Sequence, residues 1–453
     1  MPRKSRCLCT RATQPMEVSF EKLATLRGHN SDITTSSYFH VPNPNGRLTP
    51  TLVTGDSTGW LVWWDLAIRR PIGVWRAHDK TIITIKQLGV GLSELGEVAI
   101  SGDSYGILVT HGKDGEVRLW SLLTKAAGMN EQPSYDFVKL SKTFPPEPDS
   151  PAIKDSALSV ASRPYYISIP VNTLNFCNVD VAGGLLVTPS TVDSDKFDVY
   201  RLPSESNRFN RLVRLADPFQ LLQANPKSFN VSIPSNSERG NFGSLMRIIV
   251  NESLLFVGFE SGHVMGIHIP VLSGNQSANE TEMHVVHLSD YHVPNPVISM
   301  RCENGNLISG SAGRTIEVVE VAKMTVSPNE AFRFKTSKRG ANDLSLRDDG
   351  LLAVTGWDGC TRLYRRSGMD AKASEAGCFS KRNPLVTATH HTQNSDNKPA
   401  PQNVKARTVA LTATRSRKSD VVPVRRRFRA EKTPEYMCIG YEDGTVEVYY
   451  PKG

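Results

Sequence analysis

Two arrangements in this 453-residue chain carry the residue types of covalent chemistry. His78 and Asp114 could form a general-base pair, in which the acid orients the imidazole and the imidazole takes a proton. The formula Gly-x-Ser-x-Gly also occurs twice, at Gly55-Asp56-Ser57-Thr58-Gly59 and Gly102-Asp103-Ser104-Tyr105-Gly106. In a serine hydrolase that turn lies between a strand and a helix, beside an oxyanion hole. Both copies here run on into β-like sequence, WLVWW and ILVTHG, so the hydrolase reading lacks its context. The sequence contains no Walker-type loop or dinucleotide fingerprint. Seven scattered cysteines (Cys7, Cys9, Cys177, Cys302, Cys360, Cys378, Cys438) form no C-x-x-C and no Cys/His cluster at zinc spacing. They read as reduced thiols, Cys7-Leu-Cys9 has no further ligand nearby, and neither a metal nor another cofactor is expected.

The elements that would position His78 and Asp114 belong to a repeat. One copy runs from Leu26-Arg27-Gly28-His29 through TLVTGDSTGW to Trp63-Trp64-Asp65, and the next from Trp75-Arg76-Ala77-His78 through ILVTHGKDGEVRL to Trp120. Worn copies follow at Gly184–Leu202, Leu254–Ile269, Leu307–Val321, Leu351–Tyr364 and Tyr436–Tyr449, making seven. Each pairs an apolar, β-branched run with an alternating one across a tight turn, mostly Asp-Gly or Ser-Gly, which is the signature of a β-hairpin. A lone small sheet would leave its faces and edges exposed, and radial repetition around a channel buries them. The expected class is therefore all-β, a seven-bladed WD40 β-propeller.

The last repeat ends at Tyr449 or Tyr450 and lacks an outermost strand. The unassigned run Phe20–Leu26 can supply it, so the N-terminal strand should close the ring on the C-terminal blade. This gives one domain over residues 20–450 after a flexible basic tail, 1–19. Seven units of roughly 43 residues leave about a third of the chain for insertions. These are expected near 124–164, 204–240 and 367–430, the last broken by an outer strand near Leu385 and an inner one near Val409. Helical periodicity is weak everywhere, the best case being one short helix within Phe209–Leu222.

The residues Gly28-His29, Trp64-Asp65, His78 and Asp114-Gly115 to Trp120 identify the chain as a member of the WD-repeat proteins. More narrowly, LRGHNSDITTS, TLVTGDSTGWLVWWDLAIRRPIGVWRAHDKTIITI, LVTHGKDGEVRLW and the ending GYEDGTVEVYYPKG resemble the fungal ASTRA-associated WD-repeat family. The resemblance implies a non-catalytic scaffold subunit in a nuclear assembly containing a PI3-kinase-related protein, its co-chaperones and AAA+ ATPases. It further implies a link to chromatin regulation and to maturation of those kinases. It also implies a structural tetrad, His78, Thr110, Asp114 and Trp120, in place of a catalytic pair. In the first repeat His29, Thr54 and Trp64 match while Thr58 stands where the acid is expected. Asp358 and Asp443 keep the turn acid in the last two repeats, and Ser261 and Ala312 occupy or adjoin that position in others.

The net charge of +8 is local. Between Lys405 and Lys432 ten basic residues face Asp420 and Glu431, an excess of eight, so the remainder is balanced. Arg425, Arg426, Arg427 and Arg429 are the densest part. This loop suits an import receptor or an acidic protein surface, with a histone tail or nucleic acid as a secondary reading, since no groove-entering motif accompanies it. Trp60 and Trp357 fall at turns, where an exposed aromatic on a rigid loop makes an interface anchor. The other tryptophans read as blade core. No apolar run reaches the ~18 residues of a membrane span, and the N-terminus lacks the apolar stretch of a secretory signal, so a nuclear or cytoplasmic location is expected.

Overall fold

The computed structural model describes residues 19–452 except 44–46, 93–97, 102–103, 126–134, 147–163, 173–176, 204–208, 225–228, 230, 232–241, 271–282, 325–330, 368–371, 383–402 and 414–434. The seven expected hairpins are present, each extended to an antiparallel sheet of four strands or more. Blade 1 orders Ile33–Pro42, Leu48–Asp56, Trp60–Asp65 and Arg70–Arg76 from the channel outward. Blade 2 orders Ile82–Gln87, Ile107–Gly112, Glu116–Ser121 and Tyr166–Pro170 in the same way. Blades 3, 4 and 5 begin at Asp180, Leu245 and Val297, and blade 6 begins at Ala341 and carries a fifth, two-residue strand.

Blade 7 shows why the ring closes. Its inner three strands, Ala406–Leu411, Met437–Tyr441 and Thr445–Pro451, come from the C-terminus, and its outer strand is Phe20–Arg27. The register runs from Phe20 opposite Pro451 to Arg27 opposite Thr445, with a bulge between Lys22 and Ala24. Lys22 reaches the buried Glu447 carboxylate, which also accepts the Tyr441 hydroxyl at 3.0 Å. The closing strand thus supplies both a hydrogen-bond ladder and a counter-charge.

The inner strands are stitched together around the whole channel. Thr34 donates to the Ile82 carbonyl (2.6 Å), linking blades 1 and 2, and Lys86 reaches Asp180 (2.6 Å), linking 2 and 3. Asp180 also accepts the Val250 N–H of blade 4 (2.7 Å), and Arg247 donates to the Ile298 carbonyl of blade 5 (2.6 Å). Arg301 pairs with Asp343 of blade 6 (2.9 Å), which accepts the Thr408 hydroxyl of blade 7 (2.8 Å). Thr408 and Ser36 complete the circle at 2.9 Å. Each charge narrows into a pair or a backbone bond, as burial of charge requires.

Between the blades the core is apolar. Trp63, Trp64, Trp75 and Trp120 are all buried, as expected of blade core. Part of the first insertion forms a strap over blade 1. Leu123–Lys125 pairs with Tyr135–Phe137, Phe137 stacks on Trp63 at 5.8 Å, and Ser141 accepts the Val74 N–H at 2.7 Å. Leu140 fills the space above Gly73, where any β-carbon would fall 2.4 Å from its methyl. The outer edge of blade 1 is thereby covered.

Two local expectations are corrected. Within Phe209–Leu222 half of the residues form a strand, Asn210–Ala216, and the helix there is the six-residue Pro218–Gln223. Asp217 caps it, accepting from Phe219 and Gln220, and Pro218 stands in its first turn, so it cannot begin earlier. The outer strand of blade 6 is Lys372–Arg382, ahead of the position near Leu385, which lies outside the described residues. The inner strand expected near Val409 is Ala406–Leu411.

Candidate functional site

The His78–Asp114 pair is part of a closed hydrogen-bond chain inside blade 2. His78 precedes the inner strand, Thr110 lies on the second, Asp114 on the following turn and Trp120 on the third. The indole N–H of Trp120 can only donate, and does so to Thr110 Oγ1 at 2.8 Å. The threonine proton then serves His78 Nε2 at 2.7 Å, and His78 Nδ1 donates to Asp114 at 2.9 Å. Burial holds His78 below the ordinary histidine value although Asp114 favours its charged form. Asp114 is opposed by its own burial, but the His78 hydrogen bond and charge, the Asp79 N–H and Arg118 hold it down to about 2. Both ring nitrogens are committed to protein partners. The arrangement braces the blade and leaves the imidazole no lone pair for a substrate.

Blade 1 repeats this chain with one correction. The acid opposite His29 is Asp56, not a residue at position 58: His29 Nδ1 meets Asp56 at 2.7 Å and Nε2 meets Thr54 at 2.8 Å. Trp64 donates to Thr54 at 2.9 Å. Asp56 ends its strand and also accepts from the Thr58 hydroxyl (2.8 Å) and N–H (2.9 Å), so Thr58 supports the acid instead of replacing it. A third chain, unmarked in the sequence reading, sits in blade 5. His292 meets Ser309 at 2.8 Å and Thr315 at 2.7 Å, and Thr315 bonds Ser311 beside Ala312 at 2.7 Å. In blade 4 Ser261 bonds His263 at 2.9 Å.

The last two blades keep the acid and exchange histidine for a cation. Arg362 grips Asp358 with two bonds, 2.6 and 3.0 Å. Lys381 reaches Asp443, which also accepts the Thr445 hydroxyl at 2.7 Å. Among the described residues no group of three or more His, Cys, Asp or Glu side chains could hold a metal ion.

Ser57 sits in a hairpin turn whose N–H donates to Asp32 (3.0 Å) and whose hydroxyl contacts Ser31. Ser104 also lies in a turn, and Gly102 and Asp103 are outside the described residues. Both turns lead into strands, Trp60–Asp65 and Ile107–Gly112, and neither into a helix. The neighbouring His29 has spent both nitrogens, so Ser57 has no base there.

Of the two turn tryptophans, Trp357 is 52% exposed and lies over Gly340. Trp60 is half-buried at the start of its strand and packs against the apolar layer around Trp64. The residues Arg425, Arg426, Arg427 and Arg429 lie outside the described residues. Of the residues that open the basic segment, Lys405 connects blade 6 to blade 7 and Arg407 lies on the inner strand of blade 7, not in a loop. The Lys405 N–H donates to Glu442 at 3.0 Å, and Arg407 approaches Asp32 at 3.4 Å and Glu442 at 3.5 Å.

Among the hollows that the described residues form, two stand out. One, about 400 Å³, lies between blades 5 and 6 over Phe332, Phe334, Leu352 and Tyr364. The other, about 350 Å³, lies where the turns of blades 1 and 2 meet, and includes Trp60 with several charged side chains. Neither was marked by sequence, because each gathers residues distant along the chain.

Comparison with known proteins agrees with this architecture along its length. The profile of the family described as ASTRA-associated protein 1 matches residues 22–449, from the closing strand through the last blade. ASTRA-associated protein 1 of Meyerozyma guilliermondii is 28% identical, covering 94% of this chain and 98% of its own length. The protein of that name from Komagataella phaffii is 29% identical over 95% and 97%. That of Schizosaccharomyces japonicus is 29% identical over 75% and 85%. A match that begins at the strand closing the ring and ends on the strand it pairs with places this chain in the ASTRA-associated protein 1 family.

Proposed function

We propose that this chain is a non-catalytic scaffold subunit of an ASTRA-type nuclear assembly, one that serves chromatin remodelling and the maturation of PI3-kinase-related kinases. The observation that carries the reading is that the family match spans all seven blades. What the relatives share is the whole ring, and the polar chains within it are consumed in bracing. A closed ring braced in this way offers a rigid surface on which the turns of many blades converge, the property a scaffold needs. Its partners on this reading are the PI3-kinase-related protein, co-chaperones and AAA+ ATPases of the assembly.

The test is purification of the tagged chain at native expression, followed by mass spectrometry and fluorescence imaging. Recovery of those subunits in constant proportion and a nuclear signal are expected. A chain that elutes alone, or with unrelated partners, would remove the reading.

A further inference from the structure

The turn of blade 6 that carries Trp357 is set between two basic connections. On one side the connection from blade 5 carries Lys338 and Arg339. The Gly340 N–H that follows them donates to the Gly313 carbonyl at 2.7 Å, which brings Arg314 alongside. Arg314 Nε donates to the Thr336 carbonyl at 2.7 Å, and the Thr336 hydroxyl to the Lys338 carbonyl at 2.6 Å. On the other side Lys405 leads into blade 7. The Ala406 N–H approaches the Gly359 carbonyl at 3.4 Å, and a β-carbon on Gly359 would stand 3.2 Å from the Lys405 Cα. Gly340 stands at φ +78°, and a β-carbon there would fall 2.2 Å from the Trp357 ring, so the indole rests directly on the backbone.

Trp357 is 52% exposed, and its N–H, which can only donate, has no acceptor among the described residues. Arg314, Lys338, Arg339 and Lys405 are exposed as well, and none of their side chains pairs with a carboxylate among the described residues. The carboxylates nearby are already engaged. Arg362 holds Asp358 at 2.6 Å and approaches Glu375 at 3.8 Å, and Arg407 approaches Glu442 at 3.5 Å. We infer that this surface receives an acidic segment of a protein partner, in which an apolar side chain packs on Trp357 and flanking aspartate or glutamate side chains meet the surrounding cations. An aromatic held in place by the backbone loses little freedom on binding, and charge arranged around it selects the partner of opposite sign. A single-stranded nucleic acid would call for a basic groove that follows its backbone over several nucleotides, whereas Asp358 and Glu442 stand among these cations. The inference does not depend on which assembly the chain joins.

The test presents the full-length chain with immobilised peptide libraries of one length and a fixed central leucine, flanked by aspartate and glutamate in one library and by asparagine and glutamine in the other. Labelled oligouridylate is the third probe. The selected acidic peptide is then titrated by fluorescence anisotropy. Selective retention of the acidic library is expected. Trp357→Ala should weaken the selected peptide about tenfold, and Lys338→Glu combined with Arg339→Glu by about as much, at an unchanged melting temperature since all three positions are exposed. The alanine variant keeps every charge in place, so its loss of binding separates this surface from the arginine-rich segment around Arg425–Arg429. Equal retention of the amide library, no retention of either, a peptide affinity indifferent to Trp357→Ala and to the double reversal, or a preference of this surface for oligouridylate would overturn the inference.

Discussion

Replacing Thr110 by valine keeps the shape of the side chain and removes the one hydroxyl that joins Trp120 to His78. The Trp120 N–H and His78 Nε2, in residues with 0% exposure, would be left without partners. A buried polar group stripped of its partner costs about 1–3 kcal/mol, and the two are coupled through one atom, so their costs do not add in full. The expected loss is about 2–4 kcal/mol. Unfolding entropy of about 2 cal/mol/K per residue makes a ring of this length lose roughly 1 °C per kcal/mol, so melting should fall by roughly 2–4 °C. Asp114→Ala should cost about 1–3 kcal/mol, because it orphans the His78 Nδ1–H and the Asp79 N–H. Differential scanning calorimetry beside Asp56→Ala, which breaks the same chain in blade 1, checks both. If Thr110→Val and Asp114→Ala melted like the parent yet abolished biological function, the bracing account would fail and a chemical role for His78 would return.

Removing residues 1–27 should give an aggregating, protease-sensitive product, since it strips the outer strand from blade 7 and leaves Glu447 without Lys22; a soluble fragment with a single sharp melting transition would contradict ring closure. Acid should destabilise the ring well before carboxylates titrate. Burial depresses His40 to about 4, His111 to about 3 and His292 to about 4, against an ordinary value of 6.5. The unfolded chain therefore takes up their protons first, and stability present above pH 6.5 is lost progressively as pH falls toward the folded values. At pH 5.5 each costs on the order of 1 kcal/mol of stability and the three together several, so melting unchanged between pH 7.5 and 5.5 would refute the burial argument. Ser57→Ala and Ser104→Ala should leave biological function intact in a complementation assay, and a folded but inactive variant of either would revive the hydrolase reading.

The hairpins were legible because their signals are local. Asp114-Gly115 and Asp443-Gly444 mark turns directly, and the missing outer strand of the last repeat was visible as a strand without a partner at Phe20–Leu26. Side-chain substitutions within the bracing chains were not, since a carboxylate can reach one histidine from either the turn or the strand before it. Asp56 does the second, and counting by turn position led to Thr58. His292 was missed because it follows Tyr291, with neither a Gly-His nor an Ala-His dipeptide, and its repeat has no final tryptophan. Its place just ahead of the inner strand at Val297 is nevertheless the one His29 holds before Ile33 and His78 before Ile82. The strap over blade 1 left no periodic signal, because Leu140 contributes a single side chain matched to the gap at Gly73. The hollow beneath Trp60 joins three distant segments and exists only once the blades are neighbours.

The claim that the propeller surface, and not the arginine-rich segment, holds the assembly together is tested most directly by reversing charge at Arg425, Arg426, Arg427 and Arg429 and purifying the tagged variant beside the parent. Polybasic attraction is screened within about 10 Å at moderate salt, whereas contacts spread over rigid blades are not removed by it. The account predicts the same set of partners from both chains, with altered salt sensitivity or localisation in the variant. A variant that folds and enters the nucleus normally but recovers none of those partners would contradict it.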